Sequence, residues 1–221
     1  MTTDADALPR WWGITEPTTV ATNVVLAGLA FVLGARLGYG AAAQGSASGS
    51  FLGLAFLATA VAAAFGAASH GLDPRTDREQ RERCWRASLH AIGSAGAATI
   101  AAVAFFTARG PVRMVILVVA GLKLIAYLVT VARRPVFRLA AADYGGALAL
   151  LLAAALYAMA RWHAVGMGWL VAGVAVSLIA VLVQVRRVAL HRHFNHNDLY
   201  HVIQMVALYL FFRGGALLVD R

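Results

Sequence analysis

Seven continuous apolar runs dominate this chain, each long enough to cross a bilayer as a helix. At a rise of 1.5 Å per residue, about 20 residues reach across roughly 30 Å of hydrocarbon. The runs fall at residues 18–38, 51–70, 84–107, 111–132, 138–160, 164–185 and 197–219. A transmembrane barrel needs alternating segments of about ten residues, which these uninterrupted stretches are not. The expected architecture is therefore all-α: one integral membrane domain over residues 1–221, a bundle of seven transmembrane helices. Composition agrees, with 61% hydrophobic and 13% charged residues and a mean hydropathy of +0.72 excluding an ordinary soluble domain.

The breakers between the runs set the connections. Gly38 to Ser50 reads as a flexible Gly/Ala/Ser-rich loop, and Gly71 to Arg83 as a solvated loop dense in both charges. Pro111 suits the first turn of the fourth span, and Arg133, Arg134 and Pro135 end it. Gly145-Gly146 and the Gly166 to Gly173 region are expected to allow close helix packing. Met1 to Arg10, with Asp4 and Asp6, lacks the basic-then-apolar pattern of a cleaved signal, so the first span is expected to remain.

Orientation follows from the arginines. If the spans alternate, Arg10, Arg75, Arg78, Arg81, Arg83, Arg86, Arg133, Arg134, Arg138, Arg186, Arg187 and Arg192 share the side of the N-terminus. Arg36, Arg109, Arg113, Arg161, Arg213 and Arg221 face the other side, which places the N-terminus in the cytoplasm. The net charge of +9 is thus topological and does not point to nucleic acid, because the arginines flank apolar spans instead of forming a soluble basic face. Arginine is used almost to the exclusion of lysine, which points to a GC-rich bacterial genome and so to a bacterial inner membrane. A single cysteine, Cys84, excludes an intrachain disulfide and a multi-cysteine zinc site. Trp11, Trp12 and Trp162 are expected at membrane interfaces.

The chemistry concentrates in histidines. His70 ends the second span, His90 lies near the start of the third, and His191, His193, His196 and His201 surround the start of the seventh, all on the N-terminal side. Ionisable groups at the buried ends of membrane helices are costly to keep, so their convergence points to a polar site. Three imidazoles and one open position would suit zinc, whose bound water ionises near pH 7. His70, His90 and His201 could supply the three, with His196 as a further candidate. The plainer alternative is a set of interfacial helix-end histidines beside a solvated loop.

Other polar residues accompany them. Asn197 and His201 share a helix face, and Asn197 or Asp198 could orient a reacting water. Glu16 and Asn23 lie seven residues apart on one stripe at the opening of the first span, and Asp143 lies near the start of the fifth. All three are candidates to hold an ion or to orient a histidine. Lys123, the only lysine, falls in mid-span, where pairing inside the bundle is expected. An ion pathway through Lys123 and Asp143 would require them to share a depth, which the span boundaries do not indicate.

The stretch Asn197-Asp198-Leu199-Tyr200-His201 leading into an apolar helix resembles the last-helix HxxxH region of the CREST superfamily, which includes alkaline ceramidases and adiponectin-receptor-like proteins. Glu16 with Asn23 resembles the Glu and Asn that open the first ceramidase helix, and His70 matches the second-helix histidine. Where the family has a serine four residues before that histidine, this chain has Gly66, and Asn197 replaces the first histidine of HxxxH. The resemblance implies a zinc-dependent intramembrane hydrolase of lipid amides such as ceramides. It also raises calcium, for which the N-terminal acids here are Asp4, Asp6 and Glu16. The alternative is a non-catalytic, receptor-like or lipid-binding bundle with a structural polar site.

Overall fold

A computed structural model describes residues 10, 11, 13–191 and 193–221. Asp4, Asp6, Trp12 and Arg192 lie outside the described residues. A short antiparallel ribbon, β1 (Arg10–Trp11) with β2 (Ile14–Thr15), precedes seven helices: α1 Pro17–Ala43, α2 Ala47–Gly71, α3 Arg78–Thr107, α4 Gly110–Arg133, α5 Phe137–Trp162, α6 Met167–Arg186 and α7 His196–Gly215. The protein is all-helical apart from that ribbon, and α1 to α6 are each long and apolar enough to cross a membrane. The seventh, 20 residues long, carries Asn197, Asp198, His201 and Gln204 in its first half and lacks an apolar stretch as long as those of the other six.

Local chemistry explains most boundaries. Pro17 opens α1 and Pro111 lies in the first turn of α4, positions where a missing amide hydrogen costs nothing. Ser46 caps α2, accepting a hydrogen bond from the Gly49 amide at 3.1 Å. A capping box starts α7: Asn195 Oδ1 accepts from the Asn197 amide and Asp198 Oδ2 accepts from the Asn195 amide, each at 2.7 Å.

Two expected loops are helix. Gly38 to Ala43 continue α1, because Gly and Ala in mid-helix cost less than an exposed backbone where α1 packs against α2. The charged segment Arg78 to Arg83 forms the first turns of α3, with Arg78 and Arg83 bonded to Glu82 and Glu79 across one turn at 3.1 and 2.5 Å. The real loop between α2 and α3 is therefore only residues 72–77.

Adjacent helices pack so that α1, α2, α3, α5, α6 and α7 close a ring, with α4 leaning on α3 from outside. Side-chain contacts fix the directions. Ser88 donates to Ala62 O and Ser69 to Arg81 O, an antiparallel register for α2 and α3. Thr22 meets His201 and Thr19 meets Asn195, which makes α1 and α7 parallel. Thus α1, α3, α5 and α7 begin where α2, α4 and α6 end. Between α1 and α2 the backbones touch: a Cβ on Gly53 would lie 2.9 Å from the Gly38 amide. Gly166 and Gly173 likewise admit Leu217 and Phe211, whereas Gly145 and Gly146 face open space and do not serve as packing glycines.

At the opposite end, Asp220 returns to the start of α2, accepting from the Ala47 amide at 2.7 Å and the Ser48 amide at 2.9 Å. Arg221 stacks on Trp162, its guanidinium carbon 3.4 Å from the ring centroid, and Arg113 donates to the Arg221 carbonyl. Burial pushes the Asp220 carboxyl up, but the Ser48 and Ala47 donors and the Arg113 charge outweigh it and hold the group below its ordinary value. A carboxylate whose pKa falls on folding adds stability above its unfolded pKa and loses it as pH falls through the folded value. Asp220→Asn is therefore expected to lower the thermal midpoint near neutral pH. The gap to the parent protein should shrink below about pH 4, a trend that unfolding scans over pH will check.

Candidate functional site

The polar group at the end where α1 begins is built around Glu16. This N-cap residue adopts a left-handed backbone, φ 53° and ψ 54°, a strained choice for a side chain that turns its carboxylate toward α2. Glu16 Oε2 lies 3.3 Å from His70 Nδ1, a charge contact and not an aligned hydrogen bond, and Oε1 lies 3.9 Å from Arg81 on α3. Thr15 Oγ1 is shared between the carbonyls of His70 and Leu72, each at 2.9 Å, which anchors the end of α2 to the ribbon. Burial pushes the Glu16 carboxyl up. The neighbouring His70 imidazole, with Arg81 and His196, outweighs this and holds it below the usual carboxylate range.

One turn deeper, His201 of α7 is buried, with Nδ1 3.0 Å from Thr22 Oγ1 of α1. Asn23 is buried and donates to Thr19 O at 3.1 Å, and its carbonyl oxygen occupies the space beside Gly66 that a larger residue would fill. Asp198 is fully buried: one oxygen closes the capping box, and the other has no partner. Asn197 turns to α6, accepting from Gln184 Nε2 at 2.8 Å. His196 is half-buried at the start of α7. The fold thus brings Glu16, His70, His196, Asp198 and His201 to one end, as expected. An open hollow of about 530 Å³ lies beside them, lined by Ser69, His70, Pro74, Arg78, Arg81, Glu82 and Trp85.

His90 is not part of this group. In the register set by Ser69 with Arg81 and Ser88 with Ala62, His90 lies level with Ala60 of α2. That is ten residues, roughly 15 Å along the axis, from His70. The cause is the early start of α3 at Arg78, which buries His90 three turns inside the helix. Its Nε2 is buried without a partner. Among the described residues no three His, Cys, Asp or Glu side chains are placed to hold a metal ion.

Asp143 also lies elsewhere. Its two oxygens are 2.7 and 2.8 Å from Lys123 Nζ, an ion pair between α4 and α5 set against Gly96 of α3. Lys123 pairs inside the bundle as expected, and the different depths read from the span boundaries are corrected: the two residues share one depth. A Cβ on Gly96 would lie 3.1 Å from Asp143 Oδ2, so this glycine makes room for the pair. One turn earlier, Gly93 admits the Tyr127 ring, whose hydroxyl donates to Leu89 O at 2.8 Å.

A second cavity was not foreseen. It has a volume of about 300 Å³ and is bounded mainly by α5, α6 and α7, with Leu26, Thr59, Ile92 and Ala95 of α1 to α3 also lining it; Tyr144, Gly145, Leu148, Val174, Leu208 and Phe211 form a largely apolar wall. Gln184, Tyr200 and Gln204 add polar atoms. The signal in the sequence was an isolated glutamine in each of two apolar runs, and the exposed Gly145.

Lys123→Met strands a buried carboxylate and is expected to destabilise the protein by roughly 1–3 kcal/mol, less than a fully buried pair because Lys123 is 31% exposed. The double variant Lys123→Met/Asp143→Leu should recover most of that loss in detergent unfolding measurements.

No curated protein matches the chain. The model of a family of unknown function, DUF6962, matches residues 18–220, and the chain belongs to that family.

Proposed function

We propose that this is a seven-span membrane protein that holds a lipid chain in the cavity between α5, α6 and α7, with its N-terminus in the cytoplasm. One observation carries the reading: an apolar cavity of about 300 Å³ inside a bundle whose outer surface is itself apolar. That volume is at the lower end of small-molecule sites, and its mostly hydrocarbon wall with a few polar atoms is the usual composition of one. The last helix joins the other six as a span in this reading. Its 20 residues reach about 30 Å, His201 and Gln204 are directed to neighbouring helices, and Asp198 is buried in the capping box of α7 and not turned to lipid.

Gly145→Phe fills the cavity without displacing a packed neighbour, since the site of its Cβ is open. Extraction of the purified protein is expected to yield about one co-purifying single-chain lipid per protein, and the variant severalfold less at unchanged thermal stability. Equal lipid content in both would remove the reading.

Hydrolysis of lipid amides, as the ceramidase resemblance implies, is favoured by the gathering of Glu16, His70 and His201 at one end of the bundle. The donors do not fit a three-histidine zinc site: His90 lies too deep, and among the described residues no three His, Cys, Asp or Glu side chains converge on one point. Elemental analysis separates the two readings. Stoichiometric zinc lost in both His70→Ala and His201→Ala would restore the hydrolase, whereas zinc-free protein with an intact bundle is the outcome expected here.

A further inference from the structure

We infer that the cavity between α5, α6 and α7 is selective for a single-chain amphiphile with an anionic headgroup that also carries a hydroxyl, bound with its head at the end where α5 and α7 begin. This deepens the lipid-binding reading and rests on it.

The cavity is not uniform along its length. Arg138, one residue into α5, lines it at that end, together with Gln184 near the end of α6 and Tyr200 near the start of α7. At its other extreme it is lined by Leu152 and Phe211. Leu152 lies fourteen residues beyond Arg138 on the same helix, roughly 20 Å along the axis. A polar, cationic end grading into hydrocarbon is complementary to one amphiphile lying along the helices, tail inward.

Charge specifies the head. Arg138 is exposed, and no carboxylate pairs with it among the described residues. Arg133 and Arg134 precede it in the chain, and Arg186 and Arg187 follow Gln184, so cations outnumber acids at the helix ends around this mouth, where Asp198 in the first turn of α7 is buried in its capping box. An anion there gains a bidentate partner in Arg138 and the field of the others. A zwitterion places a second cation among arginines, and a neutral ceramide leaves Arg138 unmatched.

The hydroxyl follows from Gln184. Its Nε2 is used by Asn197 at 2.8 Å, while its Oε1 is buried and lacks any donor. A buried acceptor without a partner is costly, and a rotation of the Gln184 amide toward the cavity that this residue lines lets a ligand hydroxyl remove that cost.

The test is equilibrium binding to the full chain in a neutral detergent, with three probes: oleoyl-lysophosphatidylglycerol, oleoyl-lysophosphatidylcholine and oleate. The phosphatidylglycerol form is expected to bind at least tenfold more tightly than the choline form, with oleate between them. Arg138→Gln should erase the preference over choline and Arg138→Lys should keep most of it, both with unchanged thermal midpoints. Equal binding of the choline and glycerol forms, or a preference that survives Arg138→Gln, overturns the anionic assignment while the lipid-binding reading stands. Oleate binding as tightly as the glycerol form overturns the hydroxyl assignment. If none of the three binds and Gly145→Phe changes nothing, both the inference and the reading beneath it fall.

Discussion

In helices this apolar every unsatisfied polar group is costly, and that constraint orders the polar contacts of the structure. Backbone amides are consumed within each helix, so only side chains can link one helix to another by polar bonds. They do so at scattered points: the Glu16 and His70 end, the Ser88 and Ser69 bonds between α2 and α3, the Tyr127 bond from α4 to α3, the Lys123–Asp143 pair, and the Gln184–Asn197 and Ser177–Gln204 contacts between α6 and α7. Between these points the helices meet through alanine and glycine, with dispersion between close backbones replacing the hydrophobic effect that lipid does not supply.

The unequal tightness of these contacts has a functional side. Glycines bring α1 against α2 and α6 against α7 until backbone and ring atoms touch. Around α5 the glycines at 145 and 146 face open space, and the bundle encloses its apolar cavity there. A ligand site in a helical bundle needs one loose seam among tight ones, since cavity lining forfeits packing energy that the rest must supply.

How much of this could be read from the chain depends on the kind of signal. Apolar runs marked all seven helices, and Pro17, Pro111 and Pro135 marked boundaries well, because a missing amide hydrogen acts locally. Charge patterns misled: the Arg78 to Arg83 segment resembled a solvated loop, yet its i to i+4 pairs make it a helix projecting beyond the apolar part of α3. That error of about six residues propagated to His90, whose depth depends on where α3 begins and not on its own neighbours in sequence. His70 and His201 were placed correctly because each lies near a true helix end on the same side. Asp143 shows the opposite limit. Its partner Lys123 lies 20 residues away on another helix, and which face each presents is decided by packing around Gly96.

The contact of Asp220 with the first turn of α2 joins residues 172 and 173 positions apart, and the parallel pairing of α1 with α7 spans a similar distance. Closing the ring is therefore the least local step of assembly, made only once the intervening helices have formed. An assembly order follows: α1 to α3 can consolidate as the chain emerges, while the open seam on α1 waits for the final helix. During that interval the acid and imidazole at Glu16 and His70 stand without the roof that α7 later provides, so the half-built protein exposes a polar notch in which a stray lipid or a quality-control protease could intervene.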